Sequence, residues 1–229
     1  MSRTTMTKTS RTKTTVKSAA TKTLKESVAD RLRRDIISGE LPPGMIIRDL
    51  ELAQRYNAST SPVREALTLL TAEGLIEMPP NRPKQVAHID RQSARELVAV
   101  FALLTIAAYE SGAPRVDAEG VREMREALAI IKQTAHGGDH ELYIAAVRRY
   151  EDVIQRACGN RALRRLISQT FSSIERISML WRMQGMARPD AMENVVQALE
   201  AGDPQKAVTL YRGLVEQFQQ DVDALAPFL

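Results

Sequence analysis

The chain has 229 residues, 32 Lys+Arg against 28 Asp+Glu, a formal net charge of +4 and a single cysteine, Cys158. That length allows two domains with separate cores, and one cysteine excludes an intramolecular disulfide framework and suits a reducing cytoplasm. The charge is uneven, with 15 basic against 10 acidic side chains in residues 1–90 and 17 against 18 in residues 91–229, so a polyanionic partner is expected at the N-terminal end.

Residues 1–23 contain Arg3, Lys8, Arg11, Lys13, Lys17 and Lys22 among threonines and serines, with no acid. So little apolar surface predicts a disordered basic tail, either simply solvated or serving as an arm that adds phosphate contacts. It lacks the apolar run of a signal peptide, and nothing later reads as a membrane span, so a cytoplasmic protein without a membrane partner is expected. Val28, Leu32 and Ile36 then mark one side of a helix, ended by Gly39 and the turn Leu41-Pro42-Pro43-Gly44.

Residues 49–74, DLELAQRYNASTSPVREALTLLTAEG, organise the N-terminal half of the chain. Asp49 can cap a short helix, Leu50 to Tyr56, whose Leu52, Ala53 and Tyr56 form a buried side. Asn57 tolerates the left-handed conformation that ends a helix. After the turn Ala58-Ser59-Thr60, Ser61 is placed to cap a second helix and Pro62 to open it. That helix runs to about Glu73 and stops at Gly74. Val63, Ala66, Leu67 and Leu70 have core spacing, which leaves Thr60, Ser61, Arg64 and Thr68 on the outer face. Taken alone, the segment is either an ordinary helical hairpin or a helix-turn-helix that reaches into a DNA major groove. Downstream, GLIEMPPNRPKQVAHI reads as two short strands joined by the polar tip Asn81-Arg82-Pro83-Lys84. Helix, helix-turn-helix and hairpin in that order make a winged helix over residues 24–89.

Residues 28–88 resemble the DNA-binding domain of GntR-type bacterial regulators, through IISGELPPG (36–44), LAQRYNASTSPVREAL (52–67), AEGLIE (72–77) and PNRPKQV (80–86). The resemblance implies DNA contacts by Arg48, Ser59, Ser61, Arg64 and Arg82. Thr60 stands where such chains usually carry arginine, and Pro83 where they usually have glycine, which predicts one altered contact and a stiffer wing. Arg64 is the candidate for a bidentate bond to guanine O6 and N7, and Lys84 for a phosphate.

From Asp90 onward the pattern is helical, with helices near 91–110, 118–134, 140–157, 161–184, 189–201 and 204–224. Six helices joined by short loops make an antiparallel bundle over 90–229, and pockets in bundles lie between facing helices. Leu97, Val100, Phe101 and Leu104 read as one core stripe; Val195, Val196 and Leu199, with Ala207, Leu210, Leu214 and Phe218, supply others.

This half resembles the helical FCD domain of the FadR-like GntR branch, through RRYEDVIQRACGNRAL (148–163) and MENVVQALEAGDPQKAV (192–208). Many members hold a divalent metal with one aspartate and three histidines. Counting from Gly159-Asn160 and Gly202-Asp203 puts those positions on Val147, Glu151, Met192 and Leu214, so no metal and no cofactor is expected. His136 and His140, around Asp139, could clip a metal on a loop but read first as a solvated turn, and His88 ends the wing, where it meets either a phosphate or solvent. Where the resemblance implies an inward arginine and a glutamate, this chain has Phe101 and Thr105. An effector pocket of Phe101, Thr105, Val147, Glu151, Met192 and Leu214 therefore predicts a small apolar or aromatic effector in place of a highly charged acid.

The expectation is a mainly α, homodimeric transcription regulator, a repressor, on double-stranded operator DNA. A rival is a DNA-binding protein whose bundle only dimerises or docks a protein partner. An enzyme has little support: there is no phosphate loop, no nucleophile with a base at motif spacing, and no paired carboxylates beyond solvated helix charge.

Overall fold

The structure is a computed structural model that describes residues 28–80 and 82–228; the expectations for the tail at 1–23 and for Asn81 fall outside the described residues. Helix α1 (28–37) buries Val28, Leu32 and Ile36. Helices α2 (Asp49–Arg55) and α3 (Thr60–Ala72) follow, joined through Asn57, whose φ of 49° is the left-handed turn expected of it. Val63, Ala66, Leu67 and Leu70 face the core, as their spacing requires. Gly74, at φ 73°, ends α3 and turns the chain into β1 (Ile76–Glu77), which pairs antiparallel with β2 (Gln85–Val86), Ile76 opposite Val86.

Two helix starts differ from expectation. Arg48, not Asp49, is the N-cap of α2, and Asp49 points from the first turn toward α3 and the wing. Ser59, not Ser61, precedes α3, so Pro62 is its third residue. Proline is still tolerated there, because the first four N–H groups of a helix lack intrahelical acceptors. The wing also gains a third edge: Ile46 bridges Gln85, Val86 N donates to Met45 O at 2.9 Å, and Ile47 N donates to Lys84 O at 2.8 Å.

The bundle comprises α4 (Arg91–Gly112), α5 (Ala118–Thr134), α6 (His140–Cys158), α7 (Arg161–Met183), α8 (Pro189–Glu200) and α9 (Pro204–Asp221), closed by a short 3₁₀ turn, Val222–Phe228. Side chains of Asp90, Asp117, Asp139, Asn160 and Asp203 accept from N–H groups of the first turns that follow them, and α8 opens on Pro189. These starts fix where each helix begins. α5 pairs with α6 and α8 with α9, while α4 lies against α6, α7 and α9.

The phase of α4 differs from the expected stripe. Its buried face is Ala94, Val98, Ala102, Thr105, Ala108 and Tyr109; Leu97, Phe101 and Leu104 are half-buried against the core, and Val100 is 47% and Leu103 72% exposed. Small side chains let three helices approach α4 closely: a Cβ built on Gly112 would lie 2.5 Å from Ile154 O. Because α4 is apolar nearly all round, periodicity could not choose its face. For the same reason the helical stretch 91–115 contains an 18-residue window of mean hydropathy 1.5, long and apolar enough to cross a membrane by length and composition alone, contrary to expectation. Here that helix packs inside the bundle.

Helix α7 joins the two halves. Ser172 Oγ donates to Glu73 Oε2 at 2.8 Å, and Ser173 Oγ to Glu73 O at 3.0 Å. Glu73 is the C-cap of α3, and Arg33 of α1 grips the same carboxylate bidentately at 2.9 and 2.7 Å. Arg176 donates to Ala87 O, at the end of the wing, at 3.0 Å.

Candidate functional site

The first turn of α3 contains no acid, and its N-cap side chain makes no capping bond. The N–H groups of this turn thus receive no cap from Ser59 and lie beside the Thr60 and Ser61 hydroxyls, an arrangement suited to a phosphate. Arg64, 68% exposed, stands one turn further along. Asp49 Oδ2 accepts from Arg64 Nε at 2.8 Å and Asp49 Oδ1 from Lys84 Nζ at 2.8 Å. One carboxylate thus ties the recognition helix to the wing, and these two partners hold its pKa below the ordinary value. With its Nε held by Asp49, the Arg64 guanidinium still remains largely exposed to solvent. Arg48 pairs with Glu51 at 2.9 Å, and Arg82 is exposed on the wing. Thr68 donates to Arg64 O, so its hydroxyl is engaged within the helix.

A half-open cavity of about 100 Å³ lies between α4, α6, α7, α8 and α9. Phe101, Val147, Glu151, Met192 and Leu214 all line it, so positions taken from four helices do converge. Thr105 does not line it: it is 1% exposed and donates to Phe101 O at 2.9 Å, a back-bond within its own helix. Trp181, Phe171, Phe218, Tyr211, Glu175 and Arg188 also line the cavity and were missed. The lone tryptophan and the aromatic positions of α9 were the available signals. Among the lining residues Arg188 alone is exposed, which places it at the mouth.

Glu151 is 7% exposed and accepts from Tyr211 Oη at 3.4 Å. Burial pushes its pKa up to about 8, against the pull of the Tyr211 hydroxyl. Tyr109 stacks on Tyr211 with ring centroids 3.4 Å apart, and its own hydroxyl completes no hydrogen bond. Glu151 shares the cavity with a second carboxyl group and a guanidinium. Glu175 is paired with Arg148 at 2.6 Å, and Arg188 with Asp221 at 3.2 Å.

Among the described residues no group of three or more His, Cys, Asp or Glu is placed to hold a metal ion. Val147, Met192 and Leu214 bring no hard or nitrogen donor to the cavity they share with Glu151. His136 is exposed, and His140 is half-buried with both ring nitrogens unpartnered, its pKa lowered by burial and by Arg182. His88 lies on the wing, its ring packed against Gly44.

Residues 24–86 match the model of bacterial regulatory proteins of the gntR family, and residues 96–217 match that of the FCD domain. A relative from Paenarthrobacter nicotinovorans, named "Probable D-xylose utilization operon transcriptional repressor", is 31% identical over 188 residues, 79% of this chain and 80% of that one. The transcriptional repressor RspR of Escherichia coli K12 is 39% identical over 64 residues, 28% of each chain. In fold, the chain is similar to E. coli McbR/YncC, with a TM-score of 0.72 at 21% identity over 88% of this chain and 96% of that one. It is also similar to Lar, described as controlling the Listeria monocytogenes agr system, with a TM-score of 0.59 at 18% identity over 88% and 97%. The chain belongs to the gntR family of bacterial regulatory proteins, in the branch that joins a DNA-binding helix-turn-helix to an FCD domain, and is a transcription regulator.

Proposed function

We propose that the chain is a cytoplasmic, ligand-responsive repressor that binds a short palindromic operator as a homodimer and releases it when a small molecule fills the bundle cavity. Two modules, divided near Asp90, carry the two tasks. Arg64 reads a base, Ser59, Thr60, Ser61, Arg48 and Arg82 fix register on the backbone, and Lys84 neutralises a phosphate. A twofold pair of recognition helices demands inverted half-sites. The apolar face of α4 at Val100 and Leu103 supports pairing with a second copy.

The observation that carries this reading is the position of α7. Phe171, Ile174, Glu175, Ser178 and Trp181 of this helix line the cavity, while Ser172, Ser173 and Arg176, interleaved with them, hold the C-cap of α3 and the end of the wing. A ligand that shifts α7 acts on the recognition helix through a single rigid element. Trp181 is the only tryptophan in the chain, so its fluorescence reports the cavity directly. Titration of apolar and aromatic metabolites should quench or shift it at the concentrations that release labelled operator. Release without any Trp181 response contradicts the assignment of the cavity.

A further inference from the structure

The chemistry around the cavity is more selective than a general preference for apolar ligands. On the reading of the cavity as the effector site, we infer that it takes a small organic ammonium ion. Its N–H group sits on the Glu151 carboxylate, and its hydrocarbon part packs against Phe101, Trp181 and Phe218.

Two carboxyl groups and one guanidinium line the cavity, and among the described residues only one of the three lacks an ionic partner. Glu175 is already paired with Arg148, and Arg188 with Asp221. Among the described residues Glu151 has no cationic partner: its hydrogen-bond partner is a tyrosine hydroxyl at 3.4 Å, a long bond, and the groups facing it from α4 and α9 are the phenols of Tyr109 and Tyr211. A buried carboxyl surrounded by phenols lacks a positive partner, which a cationic ligand supplies. As the ammonium docks, the carboxyl proton passes to solvent, leaving a neutral ion pair.

The aromatic wall favours the same ligand class. Phe101 meets Phe171 edge-on with centroids 6.3 Å apart, and Trp181 meets Phe218 edge-on at 5.1 Å. Ring faces attract cations, and Arg148 already lies 4.4 Å from the Phe171 ring centre. A carboxylate ligand would instead face two carboxyl groups, with help only from an exposed arginine already engaged at the mouth. The size also suits a compact ligand: the cavity is about 100 Å³, against the ~150 Å³ of an enclosed apolar cavity that takes benzene, and it opens on one side.

Three probes of nearly equal size separate the possibilities: benzylammonium, benzyl alcohol and benzoate, titrated into the full chain at neutral pH with Trp181 fluorescence as readout. Benzylammonium should saturate the signal at a concentration at least about tenfold below that of benzyl alcohol, and benzoate should bind more weakly still. In Glu151→Gln the advantage of the ammonium should disappear; if that variant does not fold, the ranking in the unaltered protein decides alone. Benzyl alcohol or benzoate binding as tightly as benzylammonium overturns the ammonium assignment and leaves the cavity standing as a ligand site. A preference that survives in folded Glu151→Gln overturns it too. No response to any of the three overturns both this inference and the assignment of the cavity.

Discussion

Replacing Glu151 by glutamine should make the protein more stable, by an amount that grows with pH. The folded-state pKa of Glu151 is raised from 4.5 to about 8, with desolvation as the main cause. Between those values the folded chain holds a proton that the unfolded chain has lost, so stability falls as pH rises. At one pKa unit per 1.36 kcal/mol, the burden reaches about 3 kcal/mol at neutral pH and roughly 5 kcal/mol above pH 8. Glutamine has no such proton, and below about pH 4 it replaces a neutral carboxylic acid of nearly the same shape. The two chains should therefore be almost equally stable in acid and diverge toward alkaline pH. Asp49, Asp90, Asp221 and Asp223, whose pKa values are lowered, weaken both chains in acid and cancel in the difference. Urea melts of both chains from acid to mildly alkaline pH measure the gap. A gap that is flat with pH, or one in which glutamine becomes relatively less stable as pH rises, refutes the placement of Glu151 in a buried site without a cationic partner among the described residues.

Three further outcomes are expected. Arg64→Ala should lose about 1–3 kcal/mol of discrimination between operator and random DNA, whereas Lys84→Ala should weaken both alike and reduce the salt slope by about one; anisotropy titrations at several salt concentrations decide, and equal losses of specificity count against the assignment. Glu73→Ala removes the acceptor shared by Arg33 and Ser172, so ligand should still quench Trp181 while its effect on DNA affinity, about 1–3 kcal/mol for a typical coupling, shrinks. Full release by ligand in that variant argues against transmission through α7. Gly112→Ala places a Cβ 2.5 Å from Ile154 O and should destabilise the bundle by about 1–3 kcal/mol; an unchanged denaturation midpoint contradicts the close crossing of α4 and α6.

Much of this architecture was legible in the sequence because its signals are local. Asn57, Gly74, the Asp and Asn caps and Pro189 punctuate the chain at the observed boundaries. The positions that the FCD resemblance implies, counted from Gly159-Asn160 and Gly202-Asp203, fall on Val147, Glu151, Met192 and Leu214, and these share one cavity because register is preserved along a regular helix. What was not legible depends on packing between elements. An apolar helix such as α4 has no preferred face until its neighbours are known, so periodicity puts Val100 inside, while Thr105, placed in the pocket by the resemblance, is turned into its own helix. Trp181, Phe218, Glu175 and Arg188 enter the cavity only because α7, α8 and α9 are oriented by the whole bundle. Asp49 was read as a local cap, yet it is shared by Arg64 and Lys84, a tie set by tertiary approach. Ser172 and Ser173 look like surface hydroxyls on a helix, and only the docked C-cap of α3 gives them a purpose.

Operator recognition by a twofold pair of these chains is the property on which the proposed function depends most. Random double-stranded oligonucleotides retained by the purified full chain, recovered over several rounds at physiological salt and sequenced, test it most directly. One inverted repeat should be enriched, its half-sites each containing a guanine that Arg64→Ala no longer selects. Retention without sequence enrichment, or enrichment of an unrepeated site, would contradict recognition by such a pair.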